Sequence, residues 1–131
     1  MTKPWLVLKF GGTSVSGPQQ WQTIASLARQ RLDDGYRLLL VCSAISGITD
    51  ALQALARHAE KYDTADVTAI LHRYRQLSIK LAIETQDLLH EAGDEITRLL
   101  GLIARAQDQA GKYSAMASLL SVGEWLSTRF G

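Results

Sequence analysis

One cysteine, Cys42, is all the chain has, so no internal disulfide can form and no cysteine-based zinc site can be anchored, a usage that reads as cytosolic. Basic blocks are missing too. Lys and Arg number 14 against 13 Asp and Glu, and the net charge of +1 leaves no electrostatic footprint of the kind nucleic-acid binding relies on. No window approaches the roughly 20 apolar residues of a membrane span, and the four-residue run before Lys9 is too short for a signal-peptide core. These absences exclude nucleic acid and membrane as partners and predict a soluble, cytoplasmic protein. His58, His72 and His90 have no metal-ligand spacing, so no metal site is expected and solvated or capping roles fit them better. Neither GxGxxG nor a P-loop of the form GxxxxGKS or GxxxxGKT occurs, which disfavours the common nucleotide-binding families.

What remains is an ordinary globular composition, 47% apolar and 21% charged, and 131 residues make one domain or a piece of one. WLVLKF at 5–10 is an apolar run closed by Gly11 and Gly12, which predicts a buried strand and a turn. Pro18 suits the first position of a helix carrying Trp21, Ile24, Ala25, Ala28 and Leu32 on one stripe, with Gly35 as its stop. RLLLVC at 37–42 is a second apolar strand. Two such strands around one helix predict a parallel βαβ unit covered on both faces.

Beyond Cys42 the reading is helical. SAISGITD at 43–50 is a loop in which Thr49 or Asp50 can cap a helix from about Ala51 to Glu60. A long helix is expected from Thr64 to about Glu91, with Val67, Ile70, Leu71, Tyr74, Leu77 and Leu81 on one face and Gly93 as its end. A second, from about Asp94 to Gln109, turns Ile96, Leu99, Leu100 and Ile103 inward and completes a helical hairpin. Residues 113–130 repeat Met116, Leu119, Leu120, Leu126 and Phe130 at helical spacing. Two short strands under so many helices leave edges and faces without partners, so the domain is expected to be truncated.

Ligands of open α/β sheets bind outside the C-terminal ends of the strands, which nominates both turns. Gly11 and Gly12 let backbone N–H groups approach an anion at a helix N-terminus, and phosphate is the natural guest. Lys9, in a strand expected to be buried, can reach over that turn to a phosphoryl oxygen; a tight turn with a snorkelling lysine is the structural alternative. Ser43, Ser46 and Thr49 surround Gly47 with hydroxyls that can hold a phosphate or carboxylate, or simply cap a helix. Glu124 follows Gly123 inside a helical stretch, where a glycine costs about 1 kcal/mol against alanine unless the backbone must approach something closely. Cys42 reads as a buried, inert thiol, and Trp5, Trp21 and Trp125 as core or edge packing.

KFGGTSV at 9–15, VCSAISGITD at 41–50 and SVGEWLST at 121–128 together resemble three successive motifs of the aspartate kinases, in order and at plausible separations. The resemblance implies the N-terminal portion of an amino-acid-kinase-type, carbamate-kinase-like three-layer α/β/α fold, helix-rich with a short parallel sheet, over residues 1–131. It implies transfer of the ATP γ-phosphate to the β-carboxylate of L-aspartate with Mg2+, the first step towards lysine, threonine and methionine. In the resemblance Lys9 is catalytic; Lys9, Phe10, Gly11 and Gly12 bind ATP; and Ser43, Thr49 and Glu124 serve the substrate, Glu124 through the aspartate ammonium group. A homo-oligomer is implied, and a fusion to homoserine dehydrogenase or diaminopimelate decarboxylase would lie beyond residue 131. By itself the 131-residue chain is expected to be inactive. The alternative reading is a non-catalytic α/β interaction module that keeps a phosphate-binding turn.

Overall fold

A computed structural model describes residues 1–131. It opens with strand β1 (Trp5–Phe10), helix α1 (Pro18–Asp33) and strand β2 (Arg37–Cys42), the boundaries the apolar runs predict. The strands pair in parallel with Trp5 opposite Arg37 and Phe10 opposite Cys42, so both end at the same level. Pro18 occupies the start of α1, where its missing N–H costs nothing, and Gly35 takes up a positive φ just past the helix end.

The expectation of strands covered on both faces is not met. Trp5, Val7, Lys9, Arg37, Leu39 and Val41 share one face by register, and all six are exposed; the Arg37 guanidinium lies 4.2 Å from the centre of the Trp5 ring. The other face, with Phe10 and the buried Cys42, turns toward the core. Ala25 and Leu32 of α1 are likewise exposed, because only Trp21 and Ile24 of that helix reach buried positions.

Five more helices follow, α2 (Ile48–Arg57), α3 (Thr64–Leu81), α4 (Gln86–Arg105), α5 (Gln109–Leu120) and α6 (Val122–Phe130). Several boundaries differ from the sequence reading. Helix α2 starts at Ile48 rather than Ala51, and its N-cap is Gly47 in the left-handed region, so neither Thr49 nor Asp50 caps it; both lie in the first turn. The helix expected to run from Thr64 to Glu91 breaks at Ala82, which adopts φ 55° while its N–H reaches the Ile79 carbonyl and the Ile83 N–H the Ser78 carbonyl, a Schellman closure. Gly93, expected to end that helix, therefore sits inside α4, where an added Cβ would lie 3.1 Å from Leu71 of α3. The hairpin exists, but its corner is 82–85. The expected start at Asp94 and end at Gln109 give way to a helix from Gln86 to Arg105, and residues 113–130 form parts of two helices that meet at Ser121.

The anticipated stripes do make the core: Val67, Ile70, Tyr74 and Leu77 from α3, Ile96, Leu99, Leu100 and Ile103 from α4, and Leu119, Leu126 and Phe130 from the last two helices are buried in one cluster. No helix is long and apolar enough to cross a membrane.

Candidate functional site

The two turns that leave the strands are built against each other. Backbone bonds continue the sheet pairing past its end, Ser43 N–H to Phe10 C=O at 2.9 Å and Ser46 N–H to Gly12 C=O at 3.3 Å, and the Ser16 hydroxyl donates to the same Gly12 carbonyl. The two glycines have separate reasons to be glycine. A Cβ on Gly12 would lie 3.0 Å from the Ala44 carbonyl oxygen and 3.1 Å from the Ser46 nitrogen, so its smallness lets the turns touch. A Cβ on Gly11 would meet nothing within 4 Å, and its φ is not in the left-handed region; nothing in the chain demands a glycine there. The helices that follow, α1 and α2, both begin at a glycine with no side-chain cap, so first-turn N–H groups of each are left for another acceptor.

The third motif segment joins from the far end of the chain. At Gly123 a Cβ would meet the Ala44 Cβ at 2.6 Å and Ile48 at 3.0 Å, which explains a glycine in the first turn of α6 by close approach, as its sequence context anticipates. Tyr74 of α3, fully buried, fastens the junction: its hydroxyl donates to the Gly123 carbonyl at 2.9 Å, accepts from the Ile45 N–H at 3.2 Å and lies 3.3 Å from the Ser127 hydroxyl. Burial pushes the Tyr74 phenol up, against the pull of its bonds to Ser127 and Ile45, and the nearby Glu124 charge adds to the rise. Next to Gly123, Glu124 is half-buried, and its Oε2 atom is out of contact with solvent and has no hydrogen-bond partner.

The sequence-predicted residues thus divide. Phe10, Gly12, Ser43 and Glu124 belong to segments that touch at one end of the sheet. Lys9, opposite Val41 at that same end, is exposed on the open face rather than buried, and takes part neither in the ion pairs, which join Arg31 to Asp34 and Arg98 to Glu95, nor in the contact of His90 with Asp94. Thr49 is exposed one residue into α2. Cys42 is buried with its thiol pushed up by burial, as an inert thiol should be. His58 caps the C-terminus of α2, and His72 and His90 are exposed. Trp21 is buried with its indole N–H on the Val15 carbonyl at 2.9 Å, whereas Trp5 and Trp125 stand at the surface. Two residues went unnoticed in the sequence. Tyr74 counted only as one apolar position of a stripe, although a tyrosine buried at its centre must place its hydroxyl somewhere. Arg73, beside it, brings a guanidinium nitrogen within 3.4 Å of where a Gly47 Cβ would stand.

Two larger clefts adjoin the junction: one of about 460 Å³ between α2 and α3, lined in part by Ile48 and Arg73, and one of about 660 Å³ beside α4 that Ser121, Val122, Trp125 and four carboxylates border. No three or more His, Cys, Asp or Glu side chains stand together in the geometry of a metal cage.

Residues 4–130 match the model of the amino acid kinase family. Among curated proteins, the chain is 33% identical over 115 residues to the chloroplastic bifunctional aspartokinase/homoserine dehydrogenase 1 of Arabidopsis thaliana, an alignment covering 86% of this chain and 11% of that protein. It is 30% identical over 96 residues to the chloroplastic bifunctional aspartokinase/homoserine dehydrogenase 2 of Zea mays, covering 73% and 10%. It is 31% identical over 97 residues to an aspartokinase of Geobacillus stearothermophilus, covering 73% and 23%. The chain therefore spans from about a tenth to about a quarter of the length of these relatives. With a family match over nearly its whole length and an α/β architecture whose strand-end turns carry the glycines, the chain belongs to the amino acid kinase family.

Proposed function

We propose that this chain supplies the N-terminal part of an aspartokinase catalytic site, one that moves the ATP γ-phosphoryl group to the β-carboxylate of L-aspartate. The observation that carries the reading is the Glu124 carboxylate, with one oxygen buried and unpartnered beside the point where three motif segments meet. A buried carboxylate oxygen without a donor is costly unless a ligand brings one, and the ammonium group of an amino acid is such a donor.

In the reaction a β-carboxylate oxygen attacks the γ-phosphorus, the bond from that phosphorus to the β–γ bridging oxygen breaks, and ADP leaves with the electron pair. The protein's part is positioning and charge neutralisation. Lys9, unpaired and exposed at the end of β1, is free to turn its ammonium group to the transferring phosphoryl oxygens. Phe10 and Gly12 hold the turn, and Gly11, with open space where a side chain would stand, lets phosphate approach the backbone. Ser43 lies at the end of β2 near the transfer point, and Thr49, exposed in the first turn of α2, faces the aspartate end together with Glu124. Mg2+ accompanies ATP in such chemistry, but the carboxylates of this chain form no cage for it and none of these steps is assigned to it. The 131-residue chain alone holds a cation, a backbone cradle and part of an aspartate pocket, so we infer that it binds ligand without turning it over.

Calorimetric titration of the purified chain with L-aspartate tests the reading. Binding should weaken about 10-fold or more in Glu124→Gln, which keeps the shape and removes the charge that an ammonium group meets. Equal affinity of the two proteins would remove Glu124 from the substrate site, and with it the observation on which the proposal stands.

A further inference from the structure

A hydroxyl group has one proton and two lone pairs, and the surroundings of Tyr74 use all three. The Gly123 carbonyl can only accept, so the single phenolic proton goes there, at 2.9 Å. The Ile45 N–H can only donate, which fills one lone pair at 3.2 Å. The remaining neighbour, Ser127 at 3.3 Å, must then be the donor to the second lone pair. The ring has its own packing, edge-on to Phe130 with centroids 5.5 Å apart, and a phenylalanine would keep it. The hydroxyl therefore adds nothing to the fill of the core, and what it adds is a link between the loop that follows β2 and the first turn of α6, two segments that share no backbone hydrogen bond.

We propose that the Tyr74 hydroxyl is a positioning group for the site: it holds the 43–47 loop and the Gly123–Glu124 turn as one unit, so that the Glu124 carboxylate and the hydroxyls of the second loop meet the same ligand. The functional half of this inference rests on the aspartate reading above; the mechanical half does not. Gly123 is pressed onto Ala44 and Ile48 by shape alone, and van der Waals fit resists compression far better than it resists sliding. Directional bonds from one oxygen to both partners are what fix the register between them. A carboxylate shifted by about 1 Å against its partner groups leaves hydrogen-bond distance of a ligand those groups hold.

Tyr74→Phe and Ser127→Ala separate positioning from mere stability. The first removes both cross-links; the second removes only the donor into the spare lone pair and leaves the bonds to Ile45 and Gly123 in place. In Tyr74→Phe the Ile45 amide should exchange with solvent at least about 10-fold faster while the amides of α4 keep their protection, and L-aspartate affinity should fall about 10-fold or more with nucleotide affinity changed less than about 2-fold. Ser127→Ala should leave both affinities within about 2-fold of the parent. Unchanged Ile45 exchange in Tyr74→Phe overturns the proposal, as does an equal loss of aspartate affinity in Ser127→Ala. Were the parent chain not to bind L-aspartate at all, the functional reading would fall while Ile45 exchange still decided the mechanical one. If Tyr74→Phe does not fold, the parent protein answers: a slowly exchanging Tyr74 hydroxyl proton with a cross-relaxation peak to the Ile45 amide supports the link, and a hydroxyl in fast exchange with water overturns it.

Discussion

At their C-terminal ends β1 and β2 run into turns that are locked onto each other and onto α6, while along their length the same strands carry a bare face of Trp5, Val7, Leu39 and Val41. The two regions are a few residues apart, and it is the more apolar one, the strand face, that is left bare. Their contrast shows that an apolar pattern reports what a segment is suited to be covered by, and only packing reports whether the cover is there. At the turns the cover is specific enough to dictate glycines; on the sheet face nothing dictates anything.

The sharpest way to test covered against bare apolar surface is to truncate one leucine in the packed core and one on the open strand face. Leu100→Ala, in the fully buried centre of α4, should cost about 2–5 kcal/mol, the usual range for a cavity left in a core. Leu39→Ala, on the open face and 52% exposed, should cost no more than about 0.5 kcal/mol in urea unfolding. A larger loss at Leu39, growing with protein concentration, would mean that the face is covered in solution by another copy of the chain.

A finer cut compares the adjacent glycines of the first turn. Gly12→Ala must push the turns apart against backbone atoms and should destabilise by about 1–3 kcal/mol. Gly11→Ala has open space around it and should shift stability by less than about 0.5 kcal/mol, yet weaken nucleotide binding if phosphate approaches there. Calorimetry with ATP alongside thermal unfolding reads both, and a destabilised Gly11→Ala would erase the distinction between a packing glycine and an open one.

The most gradual effect is alkaline. Cys42 and Tyr74 both have their pKa raised by burial, so the folded state holds protons that the unfolded chain releases above about pH 8.5 for the thiol and about pH 10 for the phenol. Their contribution to stability is complete below those values and is lost as pH climbs through the raised ones. Urea midpoints measured from pH 8 to 11 should fall, and Cys42→Ala should remove the earlier part of the fall; a flat profile would show that neither group is desolvated in solution.

The elements of the sheet were legible to the residue because an apolar run bounded by glycines or by charge leaves little choice. The corner between α3 and α4 was not, since the left-handed position is taken by Ala82, a residue that carries no turn signal, while Gly93 carries one and sits in mid-helix to let Leu71 approach. Helix α2 began three residues early for a related reason: Gly47 itself caps it, so the hydroxyls of Thr49 and the carboxylate of Asp50 were not needed for that purpose. Of the candidate site, the glycines and Glu124 could be named from local sequence, but which segments touch could not. The Tyr74 hydroxyl stayed hidden because periodicity registers a tyrosine as a ring and says nothing of the oxygen at its tip.

Tyr74 bonds to partners 29, 49 and 53 residues further from it along the chain, whereas α3 and α4 meet across a four-residue corner. Closing the long loops costs chain entropy that the hairpin never has to meet, so during folding the helical pair should form before the junction of loop, helix and phenol does. The same ordering runs backwards in the native protein. Fluctuations that leave α3 and α4 intact should open the junction first, and the groups gathered for a ligand would then be the part of the molecule whose presence depends most on temperature and on the ligand itself.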